Sequence, residues 1–144
     1  MIADQIFQIC NSITPLAWIL LLFFPKWKWT RIIILQGIIP MILGIVYLSL
    51  IILFFGEGEG DFNSLNGVMK LFTNPWTVTA GWIHYLAFDL FVGSWEVSNS
   101  QKLGIKHYLV VPALLLTFFF GPIGLLLYHL IRAIKTRQVL HDNF

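Results

Sequence analysis

Asn74-Pro75-Trp76-Thr77-Val78-Thr79-Ala80-Gly81-Trp82-Ile83-His84-Tyr85-Leu86-Ala87-Phe88-Asp89-Leu90-Phe91-Val92-Gly93-Ser94-Trp95 has the length of a transmembrane helix, yet carries a histidine and an aspartate near its middle. About 20 predominantly apolar residues suffice to cross the hydrocarbon layer of a bilayer. Asn74 reads as the N-cap of this helix. Pro75 reads as its first position, where a missing N–H costs nothing. An ionisable side chain at such depth is expensive unless it is paired, neutral or reached by water, so His84 and Asp89 are the first candidates for chemistry.

Three further apolar runs lie around this one, at residues 6–24, 32–55 and 108–131. The first ends in Pro25-Lys26-Trp27-Lys28-Trp29-Thr30-Arg31, alternating aromatic and basic residues that suit a membrane interface. The second contains Gly37, Pro40 and Gly44, and the fourth contains Gly121-Pro122 and Gly124, so both are expected to bend. Residues 56–74 open with an acidic, glycine-rich stretch. They continue with Phe62, Leu65, Val68, Met69 and Phe72 at helical spacing. Residues 63–72 are therefore either a short amphipathic helix on the membrane surface or a plain connecting loop. Residues 96–106 are polar, and Glu96 reads as the solvated end of the third span. The tail from Arg132 to Phe144 is short and polar. The expected fold is an all-α membrane protein with four transmembrane helices (6–24, 32–55, 75–95, 108–131) in a single integral membrane domain, residues 1–144.

Composition agrees. Hydrophobic residues make up 58% and charged residues 11%, with a mean hydropathy of +0.80; a soluble domain carries about 25% charge. The net charge of +2 is too small to argue for a nucleic-acid partner. Cys10 is the one cysteine, so no intrachain disulfide forms. Met1-Ile2-Ala3-Asp4-Gln5 has no basic n-region, and no cleavage site follows the first apolar run. The expected location is a multi-pass position in a bacterial inner (or thylakoid) membrane. Four spans would place Lys26, Lys28, Arg31, Lys102 and Lys106 on one side and Lys70, Arg132, Lys135 and Arg137 on the other. That split leaves orientation undecided.

At about 100° per residue, Trp82, Tyr85, Asp89 and Glu96 share one stripe of the third helix, about 60° wide. His84 lies about 140° from Asp89, with Thr77, Gly81, Phe88 and Trp95. His84 and Asp89 therefore flank a groove or meet different neighbours. Either can equally pin two helices together by hydrogen bonding. His84 and Asp89 are too far apart around the helix for a strong metal-ligand pair, and neither Cys-x-x-Cys nor His-Glu-x-x-His is present. No cofactor is expected, and a metal ion, to which His129 on the fourth span could add a nitrogen, is only weakly supported. Asn11, Thr117 and Tyr128 on other spans are candidates to complete a site. The aromatic residues, including Trp76, Trp82 and Phe88, are either interfacial and lipid-facing bulk or the walls of a cleft for a long apolar ligand.

Gly81-Trp82-Ile83-His84-Tyr85-Leu86-Ala87-Phe88-Asp89-Leu90-Phe91-Val92-Gly93 resembles the signature of the abscisic-acid-deficient-four-like family, and the likeness extends over nearly the whole chain. Asn74-Pro75-Trp76, Phe24-Pro25-Lys26-Trp27 and Leu116-Thr117-Phe118-Phe119-Phe120-Gly121-Pro122-Ile123-Gly124-Leu125-Leu126-Leu127-Tyr128 are similar to it as well. The family's plant member is a plastid membrane protein required for neoxanthin synthesis. There an epoxide opens and unsaturation moves into an allene without net redox change. The resemblance thus implies acid/base catalysis within the bilayer on a carotenoid or related isoprenoid. Asp89 would be acid or base, His84 its complement and Tyr85 a hydrogen-bond donor. Trp82, Phe88, Trp76, Thr117, Tyr128 and Asn11 would contact substrate. Expected partners are a carotenoid or other long apolar lipid, membrane lipids, and a second copy of the chain or biosynthetic enzymes. Two alternatives remain open: a non-enzymatic carotenoid-binding or scaffold subunit, and a small proton-coupled transporter with His84 and Asp89 as relay.

Overall fold

A computed structural model describes residues 2–54, 56 and 59–137. The end of the second expected span at Phe55, Glu57 and Gly58 of the acidic stretch, Met1 and the tail from Gln138 onward lie outside the described residues. Every regular element among the described residues is helical. Helix α1 runs Ala3–Phe23, and a single turn α2, Lys28–Thr30, leads into a π-helical turn, Arg31–Leu35. Then come α3 (Ile38–Phe54), α4 (Leu65–Leu71), α5 (Pro75–Lys102), α6 (His107–Phe120) and α7 (Pro122–Thr136).

The expected caps are present. Asn74 Oδ1 accepts the Trp76 N–H at 2.8 Å and the Thr77 N–H at 3.4 Å, so α5 starts at Pro75 as its sequence dictates. Ser64 caps α4 by accepting the Gly67 N–H at 3.0 Å. A helix therefore stands where the sequence allowed either a helix or a loop, and Phe62, Leu65, Met69 and Phe72 in and beside it are exposed.

Among the described residues, two stretches, Ala3–Phe23 and Lys28–Phe54, are long and apolar enough to cross a membrane, where four were expected. The third expected span is longer and more polar than its apolar run suggested. Helix α5 continues through residues 96–102, 28 residues in all, because Glu96 and Ser100 face inward instead of ending it in water. The fourth expected span, 108–131, is two helices. α6 has 14 residues and α7 has 15, about 21 and 22 Å long against about 30 Å of hydrocarbon. Gly121 joins them at φ +46° and ψ −96°, and the chain reverses there. A Cβ on Gly124 would strike the Thr117 backbone nitrogen and lie 2.5 Å from the Ala113 carbonyl oxygen. In one continuous helix Ala113 and Gly124 would stand about 16 Å apart. The glycine lets the two backbones touch, so α6 and α7 form a tight antiparallel hairpin.

The chain divides into two compact units, through both of which α1 and α5 run. The first comprises residues 1–15 and 39–88, the second residues 16–38 and 89–144. In the first, Cys10, Leu43, Leu50, Ala80, Ile83, Leu86 and Ala87 form the core, flanked by Tyr47, Phe54, Trp76 and Tyr85. In the second, Trp18, Leu21, Leu90, Val97, Val110 and Leu114 are buried together with a set of polar residues: Ser94, Glu96, Ser100, Thr117 and Arg132. Meanwhile Met41, Ile45, Leu48 and Ile52 on α3 and Leu126, Leu130 and Ile134 on α7 are exposed. Large aliphatic side chains outside and charged ones inside invert the arrangement that water selects; a lipid surround accounts for it.

Candidate functional site

The sequence candidates fall into two groups. In the first unit, the Trp82 indole N–H donates to Asn11 Oδ1 at 3.0 Å, tying α5 to α1. Trp82 also packs against Phe7 (ring centroids 5.8 Å apart) and Tyr85 (5.3 Å). Asn11, Trp82 and Tyr85 therefore come together. His84 is exposed, stacked on the exposed Phe88 at 4.7 Å and edge-on to Tyr47 at 5.4 Å. Trp76 stacks on Phe54 at 3.8 Å, away from that group.

The second unit holds the buried polar cluster. Glu96 is fully buried, which overturns its reading as a solvated helix end. The Thr117 hydroxyl, itself buried, donates to Glu96 Oε1 at 2.9 Å. Glu96 Oε2 has no hydrogen-bond partner among the described residues. One further turn along α5, Asn99 Oδ1 accepts the Tyr128 hydroxyl at 2.7 Å, and Trp95 meets the Tyr128 ring edge-on at 5.3 Å. Arg132 follows Tyr128 by one turn of α7. It is 6% exposed, and its Nε also lacks a hydrogen-bond partner among the described residues. Asp89 sits at the other end of this set, half-buried, with its carboxyl against the hairpin tip: a Cβ on Gly121 would lie 2.8 Å from Asp89 Oδ1. Only a glycine lets the reversal pass so close to a carboxylate, and that carboxyl faces the positive, N-terminal end of α7.

The local sequence explains the arrangement. Asp89 and Glu96 are seven residues apart, two helical turns, so both carboxyls leave one face of α5. Thr117 and Gly124 lie where α6 and α7 touch, and Tyr128 and Arg132 lie four apart on α7. Thr117, Tyr128 and Asp89 were expected at a site and do belong to this cluster. Glu96, Asn99 and Arg132 were missed. The signal for Glu96 was present, since it shares the Asp89 stripe. For Arg132 there was none, because a basic residue closing an apolar run reads as an interfacial flank.

Chemically, the cluster offers two carboxyls, a hydroxyl donor, a phenol and a guanidinium in a protein interior. That set can hold and move protons. Among the described residues no three His, Cys, Asp or Glu side chains gather as metal ligands.

No curated protein and no solved structure matches the chain significantly. The family model described as ABA DEFICIENT 4-like matches residues 5–128, from the start of α1 to Tyr128 in the polar cluster. The chain belongs to the ABA DEFICIENT 4-like family.

Proposed function

We propose that this protein modifies a carotenoid or related isoprenoid within the membrane by a redox-neutral isomerisation, with Asp89 and Glu96 as the acid/base pair. Family membership supports a carotenoid-related membrane role. The observation that carries the chemical assignment is Glu96: fully buried, held by one hydrogen bond from Thr117, with its second oxygen left over. A buried carboxyl oxygen takes its partner from protein, water or a ligand, and one that the protein leaves free is placed to bind or to exchange a proton.

For an epoxide substrate the step balances without cofactor. One carboxylic acid gives its proton to the epoxide oxygen as the C–O bond breaks. The other carboxyl, as its anion, removes a proton from the adjacent carbon, and the electron pair of that C–H bond forms the new unsaturation. Tyr85, four residues before Asp89 on α5, is the hydrogen-bond donor in this reading. His84, Phe88, Trp82, Asn11 and Trp76, all of the first unit, are the candidates for contact with the polyene, and Thr117 and Tyr128 orient the carboxyls of the second. The natural setting is a multi-pass position in a bacterial inner (or thylakoid) membrane.

The test is purified protein in vesicles with an epoxy-carotenoid, read by chromatography of the pigment. An isomer of unchanged mass forms with the unsubstituted protein and is lost in Glu96→Gln and Asp89→Asn that keep their helical content. Full activity in both variants overturns the assignment. A second reading has an observation of its own. Asp89, Glu96, Tyr128 and Arg132 form a run of ionisable groups from the hairpin tip toward its open end, as a proton path requires. Proton flux in the same vesicles without pigment favours that reading.

A further inference from the structure

The hairpin changes the charge distribution. Lys26, Lys28, Arg31, Lys102, Lys106, Arg132, Lys135 and Arg137 all belong to the second unit, and Lys70 alone belongs to the first. Because α7 folds back along α6, its basic end returns to the level of the turn between α5 and α6. The five-to-four split of a four-span chain is thereby replaced by a strong asymmetry. Such a concentration of basic side chains suits a leaflet rich in anionic lipid.

That end holds a cleft of about 970 Å³. Lys26, Arg31, Lys102, Lys106, His107 and Gln101 line it, and its lining contains no acidic side chain. Its walls are tied together in advance: His107 Nε2–H donates to the Leu22 carbonyl at 2.8 Å, and Gln101 Nε2 to the Pro25 carbonyl at 3.1 Å. The first turn of α6 opens beside it without a side-chain cap, adding the positive end of a helix. A second groove, about 690 Å³, adjoins the cleft and shares Pro25 and Lys26 with it. Leu20, Phe23, Phe24 and Trp27 make it almost wholly apolar. Trp27 and Trp29 are each half exposed, as side chains at a headgroup boundary are.

A cationic cleft joined to an apolar groove fits one ligand chemistry, a phosphate attached to a hydrocarbon chain. We propose that this site binds an anionic phospholipid, its phosphate among Arg31, Lys102 and Lys106 and part of an acyl chain along Phe23, Phe24 and Trp27. The site is separate from the carboxyl cluster and does not depend on the isomerase reading.

Native mass spectrometry of the full chain in detergent tests it, with phosphatidylglycerol, phosphatidylcholine and inorganic phosphate as probes. Phosphatidylglycerol is expected to bind at least about tenfold tighter than phosphatidylcholine, and inorganic phosphate at equal concentration not to displace it. The double variant R31Q/K106Q is expected to lose about 25-fold in phosphatidylglycerol affinity, about fivefold per charge. K135Q/R137Q, outside the cleft, is expected to change it less than twofold. Three results would each overturn the proposal: equal binding of the two lipids, equal losses in the two double variants, or displacement by phosphate alone. The last would mean that the chain groove is not used.

Discussion

The two halves of α5 treat their polar residues in opposite ways. In residues 75–88 the polar ring side chains lie near the surface, Trp82 bonded to Asn11 and His84 exposed beside Phe88, while the small Thr79 is buried. In residues 89–102 the carboxyls and one amide turn toward the hairpin, Glu96 under Thr117, Asn99 under Tyr128 and Asp89 against the tip, while Gln101 and Lys102 at the end stay exposed. The difference follows from what lipid tolerates. A ring with one polar atom can lie at a hydrocarbon surface for little cost. A carboxyl cannot, and it persists there only if the protein builds a partner around it. The α6–α7 hairpin is that partner, which accounts for a fold that spends about 30 residues on two helices too short to span.

The comparison can be broken most severely at Gly124. Gly124→Val places carbon atoms on the Thr117 backbone, which has no room to yield. The hairpin should open, with a loss of at least about 3 kcal/mol and of most folded protein on detergent gel filtration. Thr117→Val leaves the shape and removes the hydrogen bond that Thr117 gives Glu96. It should cost about 1–3 kcal/mol, read as a lower midpoint of thermal unfolding. Tyr128→Phe removes the bond to Asn99 but keeps the ring against Trp95, and about 1 kcal/mol is expected in the same assay. At the other half of α5, His84→Ala should change stability by less than about 0.5 kcal/mol, since the ring is exposed. A large loss there would erase the contrast between the halves.

Much of this was legible in the sequence. The Asn74 cap, the start of α5 at Pro75, the all-helical class and the stripe shared by Asp89 and Glu96 follow from spacing and residue type alone. The reversal at Gly121 did not. Hydropathy adds up along an apolar run whether the chain bends or turns back, so residues 108–131 read as a single span. Only the packing of Gly124 on Ala113 and Thr117 separates the two cases. Glu96 was misread for a related reason. Polar residues after an apolar run signal water in most chains, whereas here residues 96–102 stay helical because a second element covers their polar face. The same reversal moves Arg132, Lys135 and Arg137 back toward the start of α6 instead of beyond its end.

The proposed chemistry resides with the buried carboxyls. Its most direct test compares pigment turnover by Glu96→Gln and His84→Ala, each reconstituted at equal folded concentration. Turnover is expected to fall about 10²- to 10⁴-fold in Glu96→Gln, the range for losing a general acid or base, and less than about tenfold in His84→Ala. Undiminished turnover in Glu96→Gln alongside a collapse in His84→Ala would contradict this assignment.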